Sequence, residues 1–461
     1  MLFAKFGFIF TMFWVVSWQR FDPDFGWHLQ TGRYILAHGV PVHDIYTYTA
    51  SNFKWINHEW AHDVILAFFY KYPHGWEILA TLYAALWTCI LFVSGKKASL
   101  TLLIIAAFSI TPYAGIRPMV YTFLLFALLL KISKIKSWRV KAVIPIMFIF
   151  WANLHGGVII GLLIMLYFTY RDKDLRWLAI LITSLLATFI NPYGPALFVE
   201  IARTMFDSSL HKHVAEWNQW RFGNSTRLYV VVMSFGYVFF SAGKLLNFAK
   251  DFIKHPLRWH KVTDDMVYAP LTLALAASAT RNIPLMAITT LDNLDTQMKS
   301  LRSMIPKKLD RISKLILLSG FLSVVFILVF VAFPITFNNF KYGRERRYPY
   351  SAVEYINKNG CGGGNIYNDY DFGGYLVLKL PAYKYYIDGR MPSWRNEGGS
   401  LYMDKYFEIS KDKEVQKEEF KKYNITCMVV YSQNKSYVDF AKDNNWKTVA
   451  TDNVSVLMVK Q

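Results

Sequence analysis

Two carboxylates stand two residues apart near the start of the chain, in the stretch FDPDFGWHLQTGRYI that runs from Phe21 to Ile35. Asp22 and Asp24 directly follow an apolar segment, where a charge is costly unless it has a function. Paired carboxylates hold a divalent cation, or one of them takes a proton from an attacking hydroxyl group. The alternative is a capped helix start, because Asp-Pro begins turns and Asp accepts hydrogen bonds from free backbone N–H groups. These residues alone leave both interpretations open.

A third carboxylate, Glu59, lies later in the same loop, in the stretch WINHEWAHDV. The segment from His58 to His62 matches the H-E-x-x-H zinc motif, in which two histidines on one helical face bind the metal and the Glu activates water. Helical spacing would place His58 and His62 on one face, with Glu59 turned aside. However, a five-residue pattern arises by chance in a His-rich loop, and it leaves the paired upstream acids unexplained. A zinc-dependent membrane protease is therefore kept as an alternative.

Polar residues recur at the ends of other apolar segments. Arg117 in GIRP and Arg281 in TRNIP each lie close to a proline, and a guanidinium there pairs with phosphate or extends to the lipid head groups. Glu216 in EWNQW is a further acid, while His155 in WANLHGG is more typical of a hydrogen-bonded histidine inside a helical bundle. Trp27 and other tryptophans suit an interfacial belt and equally suit stacking on sugar rings.

The elements that must position these residues are membrane helices. The chain has 461 residues, of which 54% are hydrophobic and 18% charged, a composition typical of a polytopic membrane protein. About eleven transmembrane helices are predicted, since each needs roughly 20 mostly apolar residues. The apolar runs lie near residues 3–19, 75–95, 99–116, 118–131, 142–155, 157–170, 176–192, 228–244, 266–281, 283–291 and 315–336.

The net charge of +19 is distributed as a topology signal. Lys and Arg fall in alternate loops, which the positive-inside rule assigns to the cytoplasm, and this distribution argues against nucleic-acid binding. The N-terminus is then cytoplasmic in a multi-pass protein of the cell membrane. The remaining loops face outside, and they hold Asp22, Glu59, Arg117, His155 and Arg281. The unusual polar residues thus converge on one face of the membrane.

The tail after about Lys341 alternates helix-like and strand-like segments. YPYSAVEYINKNG and DKEVQKEEFKKYN read as helices, whereas NIYNDYDFGGYLVLKLP, YKYYIDGRMPSW, ITCMVVYS and VSVLMVKQ contain strand-like runs. We expect a transmembrane domain over residues 1–340 and a small α/β domain over 341–461 on the outer face. Cys361 and Cys427 would pair there if the tail is in an oxidising compartment.

The arrangement resembles the GT-C superfamily of membrane glycosyltransferases, which includes the oligosaccharyltransferase catalytic subunit, protein O-mannosyltransferases and lipid A aminoarabinose transferases. In that superfamily an acidic motif opens the first outer loop, the place that Asp22-Pro23-Asp24 occupies here. DPDFGWHLQTGRYILAHGVPVHDIYTYT, NHEW, RPMVYTFLL, WANLHGG, NPYG, NDYDFGGYLVLKLP and IDGR look more specifically like a bacterial and archaeal branch of predicted membrane glycosyltransferases. The resemblance covers most of the chain, and the first loop is its most specific part.

This resemblance implies an inverting transfer of a sugar from a polyprenyl-phosphate donor to an acceptor hydroxyl, as in the assembly of cell-envelope glycans. One carboxylate of Asp24, Asp22 and Glu59 would act as the base, with Asp24 as the first choice, and Arg117 or Arg281 would bind the donor phosphate. Acceptor or substrate contacts would come from His28, His58, His155, Glu216 and Trp27. A divalent metal, Mg²⁺ or Mn²⁺, on Asp22 and Asp24 stays open, and so does the acceptor, which is a glycan, a protein or a lipid.

A polytopic transporter is the other alternative. Transporters place charges near mid-membrane on broken helices, often in two similar halves. In this chain the polar residues gather at one face, and the two halves show no similarity. The distribution therefore favours an enzyme.

Overall fold

The computed structural model of the chain describes residues 2–95, 97–217, 264–304 and 345–461. Within these ranges the chain is mostly helical, with a small sheet in the C-terminal part. The helices up to residue 213 are α1 Leu2–Gln19, α2 Phe25–His38, α3 Trp60–Tyr70, α4 Gly75–Gly95, α5 Leu100–Ile110, α6 Met119–Ser133, α7 Trp138–Lys141, α8 Ile144–Leu154, α9 Val158–Asp172, α10 Leu175–Ala187, α11 Ala196–Phe206 and α12 Ser208–His213. The later helices are α13 Asp264–Ser278, α14 Ile283–Met304, α15 Tyr350–Asn359, α16 Gly373–Lys379, α17 Tyr402–Ile409, α18 Lys413–Lys422 and α19 Lys435–Asp443.

Two helices of the described ranges, α1 and α4, are long and apolar enough to cross a membrane, while α5, α6 and α10 are apolar but shorter. Large apolar side chains are exposed on α8, α9 and α10, among them Phe150, Leu163, Leu166, Ile182 and Leu186. Soluble monomers rarely expose so much apolar surface, which supports a membrane protein. The predicted number of eleven spans is not confirmed, and the runs near 228–244 and 315–336 lie outside the described residues. The short run near 283–291 begins α14, which continues to Met304.

Contacts between residues divide the chain into two compact units. The first unit consists of Met1–Trp18, Ala80–Gly194 and Val214–Asn338, and the second of Gln19–Leu79, Pro195–His213 and Asn339–Gln461. The first long loop, expected within the transmembrane domain, thus groups with the tail. Its Trp27 and Trp55 lie in the same buried hydrophobic cluster as Tyr367 and Ile387 of the tail. Burial of these large aromatic side chains explains the grouping.

The tail contains a four-stranded sheet in the order β1-β2-β4-β3. Its strands are β1 Asn365–Asn368, β2 Ile425–Tyr431, β3 Trp446–Thr451 and β4 Ser455–Lys460. β1 pairs with β2 in parallel, and β4 runs antiparallel to β2 and β3. The helices at α15 and α18 and the strands β2 and β4 confirm those sequence predictions. Cys361 and Cys427 form a disulfide with their Cα atoms 5.5 Å apart.

One predicted strand-like run is wrong. The stretch YLVLK belongs to the helix α16, whose Gly374 lies so close to the first loop that a Cβ atom there would be 2.0 Å from the backbone oxygen of Pro23. At Gly26 of α2 a Cβ atom would be 1.9 Å from the oxygen of Gly374. Only glycine permits such a close backbone approach. The run after it, YKYYIDGR, forms isolated bridges through Tyr385 instead of a full strand.

A buried carboxyl in the tail predicts a pH-dependent stability. Burial raises the pKa of Asp369 to about 6, although Tyr431 N–H and the Tyr406 hydroxyl donate hydrogen bonds to it. The folded state therefore holds a proton that the unfolded state releases near pH 4, so stability is lost as the pH rises from about 4 to about 6. We expect a decrease of about 3 kcal/mol in the free energy of unfolding of the second unit. This decrease is measured by urea unfolding of the full chain in detergent at each pH, with proteolytic cleavage of the tail as the readout.

Asp369→Asn should flatten this pH dependence, because the amide stays neutral and the Tyr406 hydroxyl is able to accept a hydrogen bond from it. Asp439→Asn is the matched control, since Asp439 is exposed on α19. If the free energy of unfolding changes with pH equally in the wild type and in Asp369→Asn, Asp369 is not the source of the pH dependence.

Candidate functional site

Asp22 and Asp24 are held in a tight turn before α2. Asp22 is 7% exposed, and its Oδ1 accepts a hydrogen bond of 3.0 Å from the backbone N–H of Asp24. Asp24 occupies the position before α2, but its side chain makes no capping hydrogen bond. The turn that the Asp-Pro pair predicted is thus present, with Asp22 accepting a backbone N–H, whereas Asp24 does not cap α2 and its carboxylate is directed to other groups.

The carboxylate of Asp24 lies against the tail within the second unit. Trp27 Nε1 donates to Asp24 Oδ1 at 2.9 Å, and a Cβ atom on Gly389 would be 1.8 Å from the same oxygen. Trp27 itself is buried, so it positions the acid and is not placed as an exposed ring of an interfacial belt. The Tyr348 hydroxyl, whose pKa is raised by burial and also by Asp22 and Asp24, donates to the backbone oxygen of Phe21.

Glu59, the third predicted acid, lies between two of the predicted histidines. Its Oε2 is 3.8 Å from Nε2 of His28, and its Oε1 is 3.7 Å from Nε2 of His58. His28 is buried whereas His58 is half-buried. The structure thus brings Glu59, His28 and His58 together, and it joins Trp27 to Asp24.

The predicted helical placement of the H-E-x-x-H segment is wrong. α3 begins at Trp60, after His58 and Glu59, so His58 and His62 do not lie on one helical face. The side chain of Asn57 accepts a hydrogen bond from the Glu59 N–H at 3.1 Å, which holds this part of the loop in a turn. The zinc-protease arrangement is consequently not formed by these residues.

A buried network that the sequence did not single out lies beside this turn. Asp63 Oδ1 is 2.5 Å from His28 Nδ1, and Asn57 Nδ2 donates to Asp63 Oδ2 at 2.7 Å. Burial raises the pKa of the Asp63 carboxyl well above its usual range, although the Asn57 hydrogen bond opposes the rise. The feature of the sequence that could have indicated this network is Asp63 itself, an acidic residue in the first turn of an apolar helix.

Donor atoms of His28, His62 and Asp63 lie within 4.8 Å of one another, which is close enough for a metal ion. The set differs from the predicted pair Asp22 and Asp24. Two imidazoles and one carboxylate suit zinc-like transition metals, whereas paired carboxylates suit Mg²⁺ or Mn²⁺. A cation at the histidine set would have to replace the direct bond between His28 and Asp63.

Arg390 of the IDGR motif is the buried connection between the loop and the tail. Its Nη2 donates to Asp388 Oδ2 and to Asp44 Oδ1, both at 2.6 Å. Burial alone lowers the pKa of the guanidinium, but Asp388 and Asp44 outweigh it and hold the pKa above its ordinary value. The ring of Trp55 lies 4.4 Å from the Arg390 Cζ atom. This cluster holds the acidic loop in place.

The two arginines that were predicted to bind the donor phosphate, Arg117 and Arg281, lie in the first unit. Arg117 makes two parallel hydrogen bonds to Glu216, of 2.6 and 3.0 Å, and the Arg281 guanidinium lies 4.6 Å from the ring centre of Trp217. Glu216 and Trp217 are consecutive, so the two arginines are brought to the same short segment. Thr280 reinforces it by donating to the Glu216 backbone oxygen at 3.3 Å. A fork of guanidinium donors of this kind matches carboxylate and phosphate alike.

His155 takes part in a hydrogen-bond network next to α8. Gly157 N–H donates to His155 Nδ1 at 3.0 Å, so that nitrogen is an acceptor and the Thr122 hydroxyl donates to it at 2.8 Å. The Thr122 oxygen in turn accepts from Trp151 Nε1 at 2.8 Å. These hydrogen bonds fix the orientation of the His155 ring, and its role as an acceptor or substrate contact stays a prediction.

Comparison with solved structures identifies the fold. The apo form of the Archaeoglobus fulgidus oligosaccharyltransferase superposes with a TM-score of 0.56 and 9% sequence identity, covering 96% of this chain and 71% of that chain. The archaeal oligosaccharyltransferase AglB from Archaeoglobus fulgidus, in complex with an inhibitory peptide and a dolichol-phosphate, gives a TM-score of 0.55 and 11% identity over 95% of this chain and 70% of that chain.

No protein-family model matches the sequence, and no curated protein matches it either. The similarity therefore lies in the three-dimensional structure, and at this level of identity it concerns the fold. It extends over nearly the whole chain and includes the C-terminal sheet domain. The chain therefore has a fold similar to that of the archaeal oligosaccharyltransferase.

Proposed function

We propose that this protein is a GT-C glycosyltransferase that moves a sugar from a polyprenyl-phosphate donor to an acceptor hydroxyl. The observation that carries the proposal is the fold shared with oligosaccharyltransferase over 96% of the chain. The dolichol-phosphate bound to one of those neighbours supports a lipid-linked donor. The acidic turn at Asp22 and Asp24 supplies the chemistry that such a transfer needs.

In the proposed reaction the acceptor oxygen attacks the anomeric carbon from the face opposite the phosphate. A carboxylate takes the hydroxyl proton, the new C–O bond forms, and the bond from the anomeric carbon to the phosphate oxygen breaks. The lipid phosphate leaves with the electron pair, and the sugar configuration is inverted. We assign the base to Asp24, whose carboxylate is oriented by Trp27, with Asp22 and Glu59 as the next candidates.

The negative charge that develops on the leaving phosphate needs cations. We assign this role to Arg117 and Arg281. The Arg117 guanidinium already donates two hydrogen bonds to the carboxylate of Glu216, and the same pair of donors matches a phosphate group. Asp22 and Asp24 would hold a divalent cation if the reaction uses one, and a bound Mg²⁺ or Mn²⁺ would add Lewis-acid stabilisation of the phosphate. His58, which contacts Glu59, is assigned to the acceptor side.

We further propose that the protein crosses the cell membrane several times, with a cytoplasmic N-terminus and an external tail. The disulfide between Cys361 and Cys427 supports an oxidising compartment for the tail. The exposed apolar side chains of α8 to α10 support lipid contact on the first unit. The donor would then be used outside, where a lipid carrier replaces a nucleotide.

The test is release of lipid phosphate from polyprenyl-phosphate sugars by the purified chain, with glycan, peptide and lipid acceptors supplied in parallel. We expect acceptor-dependent release for at least one donor, together with an inverted product. Absence of both donor binding and release across the donor panel would reject the proposal.

Replacement of the two arginines is expected to weaken donor binding. Arg117→Gln and Arg281→Gln should each raise the donor KM about 10-fold or more, since a charge-assisted hydrogen bond contributes about 1.5–3 kcal/mol. The matched control is Arg139→Gln, an exposed arginine of α7. An unchanged KM in both site variants, with Arg139→Gln also unchanged, would remove the phosphate role from this pair.

A further inference from the structure

The helix α11 exposes a continuous apolar stripe. On the buried side of α11 lie Leu197 and Ile201. On its exposed side, Val199 is 67% exposed and Phe206 is 84% exposed. Ala202 is exposed as well. Positions 199, 202 and 206 are three and four residues apart, which places them on one helical face.

Contacts made by Arg203 and by the residues that follow the helix hold its C-terminal end on the second unit. The Ser209 hydroxyl donates to the Pro392 backbone oxygen at 3.1 Å, and Arg395 forms an ion pair of 3.0 Å with Asp207. Arg203 lies with its Cζ atom 5.0 Å from the ring centre of Phe53. The apolar stripe consequently has a defined direction, away from the core of its unit.

Covalent geometry limits what this stripe meets. α11 follows the apolar helix α10, whose side chains Ile182 and Leu186 and the following Ile190 are exposed. Only a short link separates Ile190 from Ala196, and a fully extended link of that length spans at most roughly 20 Å. The chain therefore leads directly from an apolar helix suited to lipid into α11.

The size of the stripe argues against a protein partner. Four apolar side chains offer on the order of 400 Å², whereas a stable interface buries about 800 Å² on each partner. Lipid needs no such minimum, since a helix with one apolar face lies in the interfacial plane with that face roughly 5–10 Å into the boundary between head groups and acyl chains.

We propose that α11 is an interfacial helix whose stripe Val199, Ala202, Met205 and Phe206 inserts into the lipid head-group region. The helix would fix the height and tilt of the second unit, with its acidic loop, relative to the bilayer. This inference goes beyond the sugar-transfer reaction and does not depend on it.

Site-directed spin labelling of the full chain in liposomes of phosphatidylethanolamine and phosphatidylglycerol tests it. Cys89, the cysteine outside the disulfide, is replaced by serine, and labels are attached to Val199→Cys and Phe206→Cys. We expect both labels to collide more often with oxygen than with a water-soluble nickel complex, at a depth of roughly 5–10 Å. Lys417→Cys on the exposed face of α18 is the control, where the order should be reversed.

Equal accessibility at positions 206 and 417 would overturn the proposal, and so would spin–spin broadening that disappears when labelled chain is diluted with unlabelled chain, because this identifies a second copy as the partner. If Val199→Cys or Phe206→Cys unfolds at a lower denaturant concentration than the parent chain, Ala202→Cys on the same stripe replaces that variant. The same accessibilities should appear with Asp24→Asn added, which separates this inference from the catalytic proposal.

Discussion

Asp24→Asn is expected to lower sugar transfer by a factor of about 10² to 10⁴, the range that a positioned general base contributes. The amide oxygen is still able to accept the hydrogen bond of 2.9 Å that Trp27 Nε1 donates to Asp24 Oδ1, so the local structure should persist. What disappears is the capacity to take the acceptor proton. The measurement is acceptor-dependent release of lipid phosphate at saturating donor concentration.

Two further variants separate the roles of the three acids. Asp22→Ala should affect transfer through the turn, because it removes the Oδ1 atom that accepts the Asp24 N–H, whereas Glu59→Gln tests the acid beside His28 and His58. Asp439→Asn, on the surface of the tail, is the control carboxylate. Full activity of Asp24→Asn together with loss in Glu59→Gln would transfer the base assignment to Glu59.

Arg390→Met is expected to destabilise the second unit by about 3–5 kcal/mol, because removal of one partner leaves buried charges uncompensated. The side chains of Asp44 and Asp388 are both 0% exposed, so water does not replace the lost guanidinium. Arg390 also lies against the rings of Tyr46, Trp55 and Trp394, and methionine keeps only part of that packing. Urea unfolding of the full chain in detergent measures the change.

A matched control for this effect is Arg395→Met, whose ion pair with Asp207 is partly exposed and should contribute about 0–1 kcal/mol. Arg390→Lys keeps the charge but loses the bidentate fork, so its stability should lie between the wild type and Arg390→Met. If Arg390→Met and Arg395→Met are equally stable, the buried cluster is not what joins the loop to the tail.

The general architecture could be predicted from local patterns in the sequence. Long apolar runs predicted the helices α1 and α4, and short strand-like runs predicted β2 and β4, because such runs are a property of neighbouring residues. The position of Asp22 and Asp24 directly after the first apolar segment likewise indicated an acidic turn. The fold comparison agrees with the resemblance to the GT-C superfamily at the level of the fold.

Local patterns failed where a distant segment decides the conformation. YLVLK reads as a strand-like run, yet it is helical, with Gly374 against the backbone of Pro23. His58 and His62 match a zinc motif, yet the side chain of Asn57 makes a turn there and α3 begins after it. In both cases hydrogen bonding or close backbone contact outweighs the weak intrinsic preference of a short run.

The amino-acid sequence by itself determined the residue types available for catalysis and the apolar segments that carry them. Only the tertiary structure decided which of those residues meet. It joined Asp44 to Arg390 across 346 positions of the chain, directed the Asp24 carboxylate to Trp27 and Gly389, and placed Asp63 behind His28. The physical reason is that burial and charge compensation depend on groups far apart along the chain, whereas periodicity and composition report only on near neighbours.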